Sequence, residues 1–146
     1  MNELSNFELM DLIKHNKLDH YFDGVYSKDE LPTLKPTKFY IINLQDSSGP
    51  GTHWTAFYYS KIQSIYFDSY GFPPPKEVEK KIGNYIYNDG QLQDMDASSC
   101  GFYALCFIKF LHDKANKEEA FKIFLKLFKN ETKQNDKILY DLIYNK

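Results

Sequence analysis

Arginine is absent from this chain: its 18 basic side chains are all lysine. Without guanidinium forks, bidentate recognition of phosphate or carboxylate is excluded. The net charge of -2 supplies no basic field, which speaks against nucleic acid as a partner. Cysteine is scarce too, with only Cys100 and Cys106. Six residues along one helix would separate their Cα atoms by about 9 Å, beyond disulfide reach. Both are expected to be reduced, as in an intracellular protein. No Cys or His spacing suggests zinc, so neither metal nor cofactor is expected. No apolar run reaches membrane-spanning length, and the chain opens on polar and acidic residues instead of a signal sequence. A soluble intracellular protein with no membrane partner is expected.

Aromatics are abundant: 12 Tyr and 12 Phe within 146 residues, enough for one domain over 1–146 with a substantial core. Ser5 and Glu8 have capping-box spacing, and Phe7, Met10 and Ile13 follow at helical intervals, predicting a helix from Asn6 to His15. Asp19 to Pro36 reads as an ordered loop pinned by Tyr21, Phe22 and Tyr26. Three strands follow: Lys38–Leu44, His53–Tyr59 and Ser64–Asp68. The last two are joined by Ser60–Gln63, a hairpin-length link. A helix is expected from Pro75 to Tyr87, weakened by Gly83 and ended by Asn88-Asp89-Gly90. Two amphipathic helices, Lys117–Lys129 and Asp136–Tyr144, close the chain. Lys122, Lys126, Lys129 and Lys133 line an outer, solvated face of this C-terminal part. The elements make an α+β fold.

Gln93 to Phe107 is the stretch around which the rest is organised. A polar, turn-forming run stops at Cys100, and an almost unbroken apolar segment continues to about Leu111. That pattern places a cysteine in the first turn of a buried helix, where unpaired N–H groups favour thiolate. Such a cysteine is either a nucleophile or a small buried residue that starts a helix.

The hairpin adds partners. Antiparallel pairing sets the start of one strand, His53, beside the end of the next, Asp68. Thiol peptidase chemistry needs a sulfur nucleophile, a histidine to exchange its proton, a group orienting that histidine, and donors for the oxyanion. Cys100, His53 and Asp68 fill the first three roles. The Cys100 N–H and the Gln93 side-chain amide are candidates for the fourth. Taken singly, each residue has a plainer reading: edge histidine, turn-forming aspartate, ordinary glutamine. His15, His20 and His112 lack a companion acid on a paired strand and read as structural or surface residues.

Gly51-Thr52-His53-Trp54, Tyr66-Phe67-Asp68-Ser69-Tyr70-Gly71, and Gln93 with Ser98-Ser99-Cys100-Gly101 together resemble the adenovirus endopeptidase (adenain) family. That family belongs to a wider group with SUMO-deconjugating proteases and maturation proteases of large DNA viruses, virophages and Polinton-type elements. Tyr21-Phe22-Asp23-Gly24-Val25-Tyr26 extends the likeness toward the N-terminus, so it covers roughly Ser5 to Asp113. The resemblance implies a small central mixed β-sheet with a hairpin, packed against a central buried helix that carries the catalytic cysteine, with further helices around it. It implies Cys100 as nucleophile, His53 as general base and acid, Asp68 (Glu in adenain) as orienting acid, and Gln93 as oxyanion donor, with Gln91 as fallback. It also implies substrate-binding roles for Gly51, Trp54 and Gly101. In that family Trp54 packs beside the cleft and Gly101 keeps its entrance free of a side chain.

The activity implied is cysteine endopeptidase cleavage of viral capsid or structural precursors at small, Gly-rich sites, inside the virion or host cell. Removal of ubiquitin-like modifiers is the alternative, and an inactive binding module a second. A polypeptide substrate and a monomeric enzyme are expected. Adenain is activated by a disulfide-linked peptide and by DNA. No cysteine precedes Cys100 and arginine is lacking, so neither activator is expected here.

Overall fold

The computed structural model describes residues 3–44, 53–93, 99–129 and 132–144, apart from the side chain of Lys133. Helix α1 (Asn6–His15) has the capping box its sequence predicts. The Glu8 N–H donates to Ser5 Oγ at 3.1 Å, and the Ser5 N–H donates to Glu8 Oε1 at 3.0 Å. Leu9 and Ile13 form its buried face.

Five strands make one sheet in the order β1 (Phe22–Ser27), β2 (Lys38–Asn43), β3 (Trp54–Tyr59), β4 (Ser64–Phe67), β5 (Tyr85–Tyr87). β2, β3 and β4 are antiparallel neighbours, whereas β1 on β2 and β5 on β4 are parallel, so the sheet is mixed. The expected hairpin is present, with Ala56 opposite Phe67 and Tyr58 opposite Ile65. Two expectations are corrected. The segment expected to be a loop contains β1, whose register shifts between Phe22 and Gly24. Gly24 has φ +157°, and a Cβ there would meet the Tyr26 ring at 2.8–2.9 Å, so this irregular edge strand needs glycine. The helix expected to reach Tyr87 stops as α2 (Lys76–Ile82). Gly83, at φ +73°, turns the chain, and Tyr85-Ile86-Tyr87 is extended beside β4.

The sheet is buried on both faces, which explains why β2 reads as a continuous apolar run. Phe39, Ile41, Trp54, Ala56, Ile65 and Phe67 face the larger core. Tyr40, Ile42, Phe57 and Tyr66 face α2, through Val78 and Ile82. In the larger core lies α3 (Cys100–Leu111), all of whose residues except Lys109 and Phe110 are buried. α4 (Lys117–Lys126) and, after a 3-10 turn at Thr132–Gln134, α5 (Asn135–Tyr144) pack around it. Lys122, Lys126 and Lys129 are exposed, as expected, and Lys122 pairs with Glu118 at 3.2 Å. No helix among the described residues is long and apolar enough to cross a membrane.

Phe107 knits α3 to both the sheet and α4. Its ring stacks on Phe67 at 5.3 Å and meets Phe39, Phe121 and Phe124 edge-on. Truncating so enclosed a ring loses transfer energy and leaves a cavity. Phe107→Ala is expected to lower unfolding free energy by about 3–5 kcal/mol, measured by urea denaturation followed in the far-UV.

Candidate active site

Three elements end at one place: β3 begins there, β4 finishes there, and α3 starts there. Thr55 lies between Trp54 and Ala56 on β3, and continuing the β3–β4 register places Asp68 and Tyr70 beside His53. His53 Nε2 lies 2.8 Å from Asp68 Oδ1. Since a carboxylate only accepts, the ring carries its proton on Nε2 and donates it. The other ring nitrogen, Nδ1, is buried and has no hydrogen bond of ordinary length. Cys100 is the first residue of α3, as expected, and is 2% exposed. The main-chain N–H of Trp54 donates to its Sγ at 3.4 Å.

Electrostatics tie the three residues together. Burial, the largest single influence on His53, pushes its pKa down. The bond to Asp68, interaction with the Cys100 thiol and the charge of Asp68 together outweigh burial and raise it from 6.5 to about 9.

Each residue of the segment Asp68-Ser69-Tyr70-Gly71 makes a contact at this site. Asp68 has no exposed surface, and its Oδ1 also accepts from the Tyr70 N–H at 2.8 Å. The Tyr70 ring lies flat on the His53 ring, centroids 4.3 Å apart and planes 10° apart. Gly71, at φ +84°, donates its N–H to the Asp68 carbonyl, and a Cβ there would meet the Gly90 main chain at 2.9 Å. Ser69 Oγ donates to Gln93 Oε1 at 2.5 Å, and the Ser69 carbonyl accepts from the N–H groups of Leu92 and Gln93. Asp68 is therefore both the turn former of the plainer reading and the partner of His53.

Gln93 is completely buried and moored through Ser69 to the residue after Asp68. With its Oε1 accepting, its amide nitrogen is the end that donates elsewhere. Gln91 is exposed and spends its amide on the Gln93 carbonyl, at 2.8 Å. Trp54 is buried, and its indole N–H donates to the Leu4 carbonyl at 2.8 Å. It also lines a cavity of about 520 Å³ together with Glu3, Leu4, Val25, Tyr26 and Asn43. Neither His53 nor Cys100 lines that cavity. The family resemblance gives Gly101 the task of keeping the cleft entrance free of a side chain. The residue is buried, and a Cβ there would meet Leu4 at 3.1 Å and Trp54 at 3.3 Å, so its smallness serves packing of the α3 start. Gly51, Thr52 and Ser98 lie outside the described residues. His20 and His112 sit at a separate cavity with Tyr21 and Lys38, and His15 lines another with Leu12 and Asn16, none of them shared with His53.

Two contributors escaped the sequence reading. Tyr70 could have been found from the hairpin register, which sets it opposite His53. Asn88, taken only as part of a helix stop, clamps the main chain of Asp68: its Oδ1 accepts from the Asp68 N–H at 3.1 Å and its Nδ2 donates to the Asp68 carbonyl at 2.6 Å. A side chain that imitates strand pairing leaves no periodic trace. Among the described residues, no group of His, Cys, Asp and Glu side chains could hold a metal ion.

No protein-family model matches this chain, and no curated protein matches it. Solved structures do. Two crystal structures of the ASFV pS273R protease, one of them a selenomethionine form, superpose with a TM-score of 0.59 at 14% identity. They cover 97% and 98% of this chain. The chain has a protease fold. It spans about two thirds of the length of these neighbours, 66% and 67%. At this identity the protease likeness is one of fold, and the roles of individual side chains rest on the local geometry.

That geometry makes stability depend on pH in a definite sense. His53 has a raised pKa, so its charged interactions stabilise the fold fully below about pH 6.5 and are lost as pH climbs through about 9. In a titration followed by the imidazole NMR signals, His53 is expected to show a midpoint near 9. Asp68→Asn is expected to bring it down by a unit or more, roughly the effect of one close charge. A wild-type midpoint near the ordinary histidine value would break the assigned coupling.

Proposed function

We propose that this protein is a cysteine endopeptidase in which Cys100 is the nucleophile, His53 the general base and acid, Asp68 the orienting acid, and Gln93 an oxyanion donor. The observation that carries the reading is His53: Asp68 occupies one ring nitrogen at 2.8 Å, and the next residue, Trp54, donates its main-chain N–H to the Cys100 sulfur at 3.4 Å.

The reaction runs as follows. His53 Nδ1 accepts the thiol proton while Nε2–H stays on Asp68, which fixes the tautomer. The sulfur adds to the scissile carbonyl carbon, and the carbonyl oxygen becomes an oxyanion. As a first-turn residue Cys100 has a main-chain N–H unused by its helix, and this N–H with the Gln93 amide stabilises that charge. The C–N bond breaks, and the imidazolium returns the proton to the leaving amine. Water, deprotonated by His53, then hydrolyses the thioester and frees the sulfur. Burial and mooring by Ser69 favour Gln93 over the exposed Gln91.

The substrate we propose is a polypeptide with small residues, glycine above all, beside the scissile bond. The slight exposure of Cys100 supports this, because bulky side chains would have to displace packed structure. A viral structural precursor, cut during maturation inside the virion or host cell, fits the adenain-like motifs and the fold shared with the ASFV pS273R protease. We expect a monomer that works without a metal, DNA or disulfide-linked activator.

Thiol labelling tests this reading. Cys106 is buried, and burial pushes its thiol pKa up to about 12, which disfavours the reactive thiolate. A peptide carrying a C-terminal thiol-reactive electrophile after Gly-Gly should therefore label Cys100 alone, as read by peptide mass mapping. Cys100→Ala and His53→Ala should each reduce cleavage of a capsid precursor by at least about a thousandfold. Labelling of Cys106, or turnover by Cys100→Ala, would overturn the mechanism. Cleavage of modifier conjugates but not precursors would identify a deconjugating peptidase, and an unreactive Cys100 a binding module.

A further inference from the structure

The two ends of the segment that joins Gln93 to Cys100 meet the same partner, the start of α5. Asn135 has no exposed surface. Its Nδ2 donates to the Leu92 carbonyl at 2.8 Å and to the Lys129 carbonyl at 2.9 Å, while its Oδ1 accepts from the Lys129 N–H at 2.7 Å. One side chain thus ties the exit of α4 to the residue before Gln93. At the other end, Ser99, also without exposed surface, donates its hydroxyl to Asp136 Oδ1 at 3.0 Å. Ser99 immediately precedes Cys100, and its carbonyl opens the α3 hydrogen-bond ladder by accepting from the Tyr103 N–H. Tyr103 Oη adds a longer bond to the Leu92 carbonyl, at 3.4 Å.

Ordinary helix capping does not account for this arrangement. Ser99 makes no side-chain cap bond within α3, although serine at that position commonly does. Its hydroxyl is turned instead to another helix, 37 residues away in sequence. Asn135 likewise bonds main-chain groups on two other segments. Buried polar side chains are costly unless satisfied, and these satisfy groups that flank the proposed nucleophile and oxyanion donor.

We propose that Asn135 and Asp136 are positioning residues for the active site: through Leu92 and Ser99 they set the separation between the Gln93 amide and the Cys100 sulfur. The inference rests on the peptidase reading above. An oxyanion donor acts only when the tetrahedral oxygen forms, so displacing it weakens the transition state without weakening ground-state binding. Neither side chain bonds to His53 or to Cys100 itself; each bonds to a neighbour of the proposed oxyanion donor or nucleophile.

The test compares Asn135→Ala and the milder Asp136→Asn and Ser99→Ala with the wild type. A Gly-Gly-containing peptide serves as substrate, and iodoacetamide as the probe of Cys100. The expected result is a kcat reduced about tenfold to a hundredfold, the scale of a small misplacement of a catalytic group, with KM and the pH profile of Cys100 alkylation unchanged. Amide hydrogen exchange at Leu92 and Gln93 should accelerate in Asn135→Ala, while the melting transition stays cooperative. An unchanged kcat in all three variants would overturn the proposal. So would a joint fall of kcat, alkylation rate and melting temperature in every variant, which marks a merely structural role. Should the wild type itself show no turnover, the peptidase reading fails, and exchange decides the clamp separately: faster exchange upholds it and unchanged exchange removes it.

Discussion

A carboxylate with no exposed surface is the constraint on which this structure depends. Removing the charge of Asp68 from water costs several kcal/mol unless partners replace its hydration. His53 and the Tyr70 N–H supply part of the replacement, both at 2.8 Å on the same oxygen. The second oxygen, Oδ2, is buried without a hydrogen bond, so the balance leans heavily on the charge of His53. The pair is consequently interdependent: removing either member leaves the other stranded in a poorly solvated place. The surroundings follow from that need. Asn88 holds the Asp68 main chain on both sides, β5 brings Asn88 there, and Gly71 permits the tight turn that aims the Tyr70 N–H back at the carboxylate.

The sequence made this centre legible because its key pair is local. Two β-branched and aromatic runs joined by four residues can hardly do anything but form a hairpin, and a hairpin juxtaposes its open ends. His53 and Asp68 could be paired from that alone. The Cys100 boundary was legible for a different reason: a polar run meeting a long apolar one marks a buried helix start. What escaped is non-local. β1 and β5 are parallel edge strands whose partners are set by long connections, and Asp23-Gly24 and Gly83 both look like chain breaks. Three residues of β5 carry too little pattern to outweigh the helical spacing of Val78, Ile82 and Ile86. The choice between Gln93 and Gln91 could not be read either, since it turns on burial and on the bond from Ser69. The clamp from Asn135 and Asp136 joins segments about forty residues apart, and no periodicity reports such a contact.

Cys100 and Cys106 meet very different surroundings. They lie on one helix, are both unoxidised, and are both buried. Cys106 sits where apolar packing pushes its pKa up to about 12. Cys100, one and two-thirds turns earlier by helical geometry, accepts from the main-chain N–H of Trp54, beside a histidine held by Asp68. In the proposed reaction, reactivity would belong to the helix end and not to the residue type.

That end is also closely packed. The remainder of α3 is enclosed on nearly every side, so the sulfur cannot move outward without disturbing the aromatic core around Phe107. Leu4 and Trp54 close over Gly101, leaving no room even for a methyl group without displacement. In the proposed reaction a substrate must then bring its carbonyl carbon to the nucleophile, because the nucleophile does not come to it. Residues beside the scissile bond would then meet the packed Trp54 and the flat Tyr70–His53 stack. A glycine can enter such a space by main chain alone, whereas each added side-chain atom meets a surface already in van der Waals contact. On that proposal selectivity for small residues would follow from how the nucleophile is immobilised, so the packing that holds Cys100 in place would also choose its substrate.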